Sequence, residues 1–210
     1  MGQSKFTRPD LDLGPQFKKV NLSTLSCHPP IVGSPADVPL TDSVWTTLWA
    51  DESATQAFAT QLASALQKWP GGRDARIELR GNLGAGKTTL VRHLLRAAGV
   101  LGRIKSPTYA VVEPHQAGAG EDAWPIWHFD FYRFNDPQEW EDAGFRDIFA
   151  GPGLKLMEWP DKVGGQLPAP DWLIAMEVVD ADQRQVRVGA GTSRGHIWLQ
   201  SWLEGWAHAA

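Results

Sequence analysis

Cysteine is nearly missing from this chain: Cys27 stands alone among 210 residues. One thiol cannot close an internal disulfide or build a thiolate metal cluster, and it fits a reducing compartment. Long apolar runs are missing too. None reaches the roughly 20 residues that cross a bilayer, and the opening MGQSKFTRPD lacks the apolar core of a secretory signal. The expected setting is the cytoplasm, with no membrane attachment. Met1-Gly2 opens like a myristoylation signal, but Phe6 stands where Ser or Thr is required. Excess positive charge is also absent: 20 Lys and Arg against 24 Asp and Glu leave a net charge of −4. Such a chain offers no broad basic face to a polyanion, so contact with RNA is expected only through a partner.

What is present divides unevenly. Much of the proline lies before residue 43, with CHPPIVGSPADVPL at its centre, so residues 1–43 read as a flexible proline-rich leader or the result of a mis-set start. Residues 44–210 have the length of one domain. Cys27 and His28 are adjacent metal-ligand types without companions, which more often means nothing. Of the 11 tryptophans, Trp45, Trp49, Trp69, Trp124, Trp198, Trp202 and Trp206 lie in or beside apolar segments and read as core fillers and surface caps. Trp159 alone sits in a motif.

The stretch RGNLGAGKTTLVRH, residues 80–93, carries the strongest chemical signal. A nucleotide triphosphate must be held by inward-pointing backbone N–H groups, which requires glycines where a side chain would block the approach. Gly81, Gly84 and Gly86 supply that freedom. Lys87 places a point charge on the outer phosphates, Thr88 offers a hydroxyl to Mg²⁺, and Thr89 adds a second hydroxyl near the inner phosphate. A chance glycine-rich turn is the plainer alternative, and the flanks decide against it. ARIELRG before the loop alternates Ile77 and Leu79 with charged residues, as a strand does; Leu90, Val91, Leu94, Leu95 and Ala98 follow at helical spacing until Gly99.

Around this loop the pattern predicts a helix from Asp51 to about Trp69 with Ala54, Phe58, Leu62, Ala65, Leu66 and Trp69 on one face and Ser53 or Asp51 as cap. Strands are expected at 76–80, near 109–114, in PIWHFDFYRF and in GLKLMEW. An acidic helical segment, DPQEWEDAGFRDIF, is opened by Asp136 with Pro137 in its first turn. DWLIAMEVVDADQRQVRVGA reads as two strands around a polar turn, and HIWLQSWLEGWAHAA as strand, short helix or both. The fold class that follows is α/β: a three-layer P-loop NTPase-like domain with a mixed, mainly parallel sheet and a late antiparallel hairpin.

Binding becomes hydrolysis when a carboxylate orients metal and water at the end of a neighbouring hydrophobic strand. Asp130 ends IWHFD and Glu158 ends LKLME, and either could be a plain strand-end acid were the P-loop not beside it. Ser106-Pro107-Thr108 adds a stiffened loop whose hydroxyls can meet the terminal phosphate or its metal. No Asn-Lys-x-Asp guanine reader occurs, which favours ATP. Arg184, Arg187 and Arg194 are spread along strands and turns and do not gather into a kinase lid. A small-molecule kinase of the P-loop fold remains the alternative, and a non-catalytic nucleotide-gated scaffold is the third class.

Taken together, LRGNLGAGKTTLVRHLL, IKSPTYAVVEPH, WHFDFYRFNDPQEWEDAGFRDIF and LKLMEWPDKVGGQLPAPD resemble, in order and spacing, the TsaE family of small bacterial ATPases that serve tRNA threonylcarbamoyladenosine formation. The resemblance covers most of residues 50–190. It implies a Mg²⁺-dependent ATPase working with TsaB-like and TsaD-like proteins, which transfer the threonylcarbamoyl group from threonylcarbamoyl-AMP to N6 of the adenosine 3′ of the anticodon. Position by position, it places Gly84, Ala85, Gly86, Lys87, Thr88 and Thr89 on the phosphates and Thr88 and Glu158 on Mg²⁺. Asp130 corresponds to the carboxylate required for hydrolysis, Thr108 to a switch-like threonine and Trp159 to an aromatic beside the metal ligand. Glu52 and Asp182 match positions near adenine or ribose. Asn82 and Trp140 depart from the family pattern, neither at a ligand position.

Overall fold

The computed structural model describes residues 44–134 and 138–208. The leader expected over 1–43, with Cys27 and His28, and the Asp136-Pro137 helix start lie outside the described residues, as does the side chain of Trp206.

Seven strands form one sheet: β1 (Val44–Trp49), β2 (Arg76–Arg80), β3 (Val112–Ala117), β4 (Trp124–Asp130), β5 (Leu154–Glu158), β6 (Trp172–Val178) and β7 (Arg184–Ala190), in the order β1-β7-β6-β2-β5-β4-β3. The central run β6, β2, β5 and β4 is parallel. Antiparallel pairs close both sides, β6–β7–β1 on one and β4–β3 on the other. The α/β class with a mixed sheet, a parallel centre and a late hairpin is therefore as the sequence predicts. The β2 strand that feeds the glycine-rich loop lies mid-sheet, with β5 beside it and β4 next out. That order brings Leu79, Glu158 and Asp130 to the same level, because Leu79 pairs with Glu158 and Glu158 with Asp130.

One face is covered by α1 (Glu52–Lys68), α2 (Lys87–Ala97) and α5 (Ser193–His208), whose apolar residues join Ile77, Leu79, Ile126, Leu154, Leu156 and Ile174 in the larger core. Asp51 caps α1 by accepting from Ala54 N at 3.1 Å, one of the two caps expected. The other face carries a second core of Phe129, Phe131, Phe134, Trp140, Phe145, Met157 and Val163 under α3 (Gln138–Asp142) and α4 (Arg146–Ala150). No helix among the described residues is long and apolar enough to cross a membrane.

Four local expectations shift. The strand placed near 109–114 begins at Val112, because Val111 takes φ +66° and its N–H turns back to Pro107 O at 2.6 Å. The acidic helical segment is two short helices, broken where Gly144 takes φ +69°. The final segment is wholly helical through His208. Val44–Trp49, read only as a site of core tryptophans, is a strand on the outer side of β7. Trp45, Trp49, Trp69, Trp198 and Trp202 all pack in or against the larger core.

Candidate functional site

The loop between β2 and α2 turns on residues that an ordinary side chain would strain. Gly84 takes φ +79° with no protein atom within 4 Å of where a Cβ would stand, and Gly86 takes φ +105° immediately before α2. The first turn of α2 thus opens toward a cleft of about 260 Å³. Gly84, Gly86, Lys87, Thr88 and Thr89 form one wall; Thr108, Asp130, Glu158 and Trp159 face them, with Leu83 and Tyr132 at the sides. Ala85 lies beneath, 1% exposed.

Two hydroxyl–carboxylate pairs line the cleft, and the first of them spans it. Thr88 Oγ1 donates to Glu158 Oε2 at 2.8 Å, and Thr108 Oγ1 donates to Asp130 Oδ2 at 2.6 Å. Tyr132 N donates to the second Asp130 oxygen at 3.0 Å, and Ser106 Oγ is 2.7 Å from the Thr108 hydroxyl. Both carboxylates are buried, Asp130 to 3% and Glu158 to 2% exposure. Such burial is costly for an acid unless its oxygens are hydrogen-bonded, as these are.

Lys87 is folded into its own loop. Its Nζ donates to Gly81 O at 2.6 Å and Asn82 O at 3.0 Å, and the ammonium lies 3.8 Å from the centroid of the Trp159 ring. Burial lowers its pKa, against the opposing pull of Glu158 and Asp130. Trp159 takes φ +58° and packs at 5.0 Å against Tyr132. Among the described residues it and Val111 are the two non-glycine positions with positive φ; Trp159 lines the cleft and Val111 O accepts from Asp130 N at 2.9 Å, and backbone strain at such places tends to be retained for a purpose.

Glu52 and Asp182 are not brought into the cleft. Glu52 pairs with His93 Nε2 at 2.9 Å on the outer side of α1 and α2, and Asp182 is exposed in the β6–β7 turn. That turn is nevertheless tied to the loop. Arg184 donates through Nε to Ala85 O at 3.1 Å and through Nη1 to the carbonyls of Asp180, Ala181 and Gln183.

Two residues escape reasoning on the sequence. The sequence offers Arg184 only as a candidate lid arginine; its clasp on the loop depends on long-range pairing that no spacing reveals. His128 sits 2.8 Å from Glu158 Oε1 and is 0% exposed. It lies two residues before Asp130, so strand alternation alone puts both on one face.

The residues suit Mg²⁺ and a triphosphate. Thr88 and Glu158 would give a hard cation two oxygens, and no group of three or more His, Cys, Asp or Glu side chains among the described residues is placed to hold a metal. The rest of its shell would come from phosphate and water, which is how Mg²⁺ is usually held.

Residues 49–186 match the family described as threonylcarbamoyl adenosine biosynthesis protein TsaE. The tRNA threonylcarbamoyladenosine biosynthesis protein TsaE of Haemophilus influenzae is 40% identical over 145 residues, covering 69% of this chain and 89% of that protein. The protein of the same name from Bacillus subtilis is 33% identical over 150 residues, covering 71% and 87%. Among solved structures, the crystal structure of Bacillus subtilis YdiB superposes with a TM-score of 0.59 at 25% identity, over 80% of this chain and 97% of that one.

Proposed function

Since the chain belongs to the TsaE family of threonylcarbamoyl adenosine biosynthesis proteins, we propose that it is a Mg²⁺-dependent ATPase supporting formation of the threonylcarbamoyl group on N6 of the adenosine 3′ of the tRNA anticodon. It acts in the cytoplasm with TsaD-like and TsaB-like proteins, which carry out the transfer from threonylcarbamoyl-AMP, and meets tRNA only through them. The observation that carries the ATPase reading is the Thr88–Glu158 pair at the mouth of the glycine-rich loop, with Thr108–Asp130 beside it.

Each residue has a separate task. The backbone N–H groups of Gly84 through Thr89 surround the phosphates, and Lys87 moves from the loop carbonyls to add its charge. Thr88 and Glu158 hold Mg²⁺, which when bound neutralises charge on the outer phosphates. Asp130 orients a water through a carboxylate oxygen, and Thr108 links it to the 104–111 loop so that hydrolysis is sensed there. Trp159 packs over the lysine. Arg184 braces the loop from behind.

None of the described residues lining the cleft is an arginine. An inserted arginine raises phosphoryl-transfer rates by about 10³- to 10⁵-fold, so turnover alone is slow, and Arg133 or a partner residue supplies the missing charge in the complex. The test is phosphate release from MgATP without any acceptor, measured with and without TsaB-like and TsaD-like proteins, alongside multiple-turnover modification of tRNA. Partner-stimulated release and a requirement for this chain beyond the first turnover are expected. Equal release with and without partners would remove the stimulation, and ADP formation only with a small acceptor would make the protein a kinase.

A further inference from the structure

His128 lies in an apolar layer, on the β4 face that also places Ile126 in the larger core, and is directly paired with Leu156 of β5. It is fully buried. Its Nε2 is 2.8 Å from Glu158 Oε1, while Nδ1 has no hydrogen-bond partner among the described residues. Stability alone does not explain such a residue. A buried polar atom left unpaired is destabilising, and an aliphatic side chain would fill the layer without that cost. What the imidazole provides is the single bond to Glu158.

We infer that His128 is the positioning residue of Glu158, holding its carboxylate so that Oε2 faces Thr88. The terminal torsion of a glutamate is broad and must be fixed by its hydrogen bonds. Glu158 has two such side-chain partners. Thr88 is itself the metal-side hydroxyl, so its bond is shared with whatever the pair receives. His128 approaches the other oxygen from inside the core and is the constraint that does not change with ligand. With Nε2 protonated it donates to Oε1, and the unpaired Nδ1 is a bare acceptor, the less costly atom to leave unsatisfied. Loss of an outer partner of this kind typically weakens metal binding by about 10- to 100-fold.

The inference rests on Glu158 holding Mg²⁺ beside bound ATP. The test uses the full chain with His128→Leu, which removes the donor, and His128→Gln, which keeps an N–H near the position of Nε2. Thermal melting establishes folding, calorimetry in EDTA gives metal-free ATP affinity, and electron paramagnetic resonance of Mn²⁺ gives metal affinity of the ATP complex. The Leu variant should bind ATP without metal within about twofold of wild type but hold Mn²⁺ about 10- to 100-fold less tightly, with most of the loss restored in the Gln variant. Unchanged Mn²⁺ affinity in a folded Leu variant overturns the inference, as does a parallel loss of metal-free ATP binding. Should the Leu variant fail to fold, His128→Asn replaces it, its amide being too short to reach; equal Mn²⁺ affinity in the Asn and Gln variants overturns the inference. Wild-type protein that binds no ATP overturns the ATPase reading and this inference together; Mn²⁺ affinity indifferent to Glu158→Gln, or normal wild-type behaviour with unaffected His128 variants, overturns the inference alone.

Discussion

Lys87 illustrates how much a single side chain has to do at this cleft. Its ammonium is held by two carbonyls of its own loop and by the Trp159 face, and burial holds its pKa below the ordinary lysine value of 10.5. Lys87→Ala should weaken ATP binding by at least about 100-fold in calorimetry, since a charged hydrogen-bond partner to phosphate is lost in a partly dry site. The lowered pKa also sets a pH dependence. The charged form binds phosphate and is present at low pH, so ATP affinity should fall as pH rises, beginning below 10.5. Lys87→Arg, charged throughout, should show no such fall; an identical alkaline decline in both proteins would count against Lys87 as its source. Glu158→Gln should lower Mg²⁺-dependent hydrolysis far more than metal-free ATP binding, and the reverse ranking would give the metal to Asp130. Lys87, Thr88, Asp130 and Glu158 are legible in sequence because their chemistry shows in residue type and in place at a strand or helix end. His128 is less so, because a histidine inside a hydrophobic strand looks the same whether it fills space or orients a neighbour.

Asp171 does for whole elements what Lys87 does for the loop. Lying just before β6 and 1% exposed, it accepts from Arg76 N at the start of β2, from Thr192 Oγ1, and from Arg194 in the first turn of α5 at 2.5 Å. Burial pushes its pKa up, but the hydrogen bonds from Arg194, Thr192 and Arg76 outweigh this and leave it below the ordinary 3.8. Its folded pKa is depressed, so its contribution is complete above pH 3.8 and is lost as pH falls through the lower folded value. Asp171→Asn should therefore cost about 2 kcal/mol at pH 7, with Arg194 partly exposed to solvent. The gap to wild type in urea denaturation should narrow toward pH 3; a gap that stays constant would mean the charge is not what ties α5 down. Elements with strong local patterns, α1, α2, β2 and β5, can be read from their residues. The breaks at Val111 and Gly144 cannot, because a valine at positive φ is against its own preference and a lone glycine in a helical pattern is usually tolerated.

At the scale of the molecule, the α/β class could be argued from the order of strand, glycine-rich loop and helix, whereas the strand order could not. Placing β5 between β2 and β4, and β1 outside β7, depends on pairings between segments far apart in the chain. Everything described begins with β1 at Val44. A protein retaining residues 44–210 behind a new initiator methionine should hydrolyse ATP at the full chain's rate and melt within a few degrees of it; loss of folding would make residues 1–43 part of the domain. Trp69, Trp172, Trp198 and Trp202 pack together in the larger core and do not line the cleft. Trp69 stacks on Trp198 at 5.3 Å and 9°, and Trp172 meets Trp202 edge-on at 5.6 Å and 87°. Indoles this close couple through their intense transition dipoles, so the folded chain should show a far-ultraviolet circular-dichroism couplet that is lost when α5 leaves the sheet. Trp159, by contrast, packs with Tyr132 and Lys87, so its optical response can follow the cleft while the coupled indoles follow the fold.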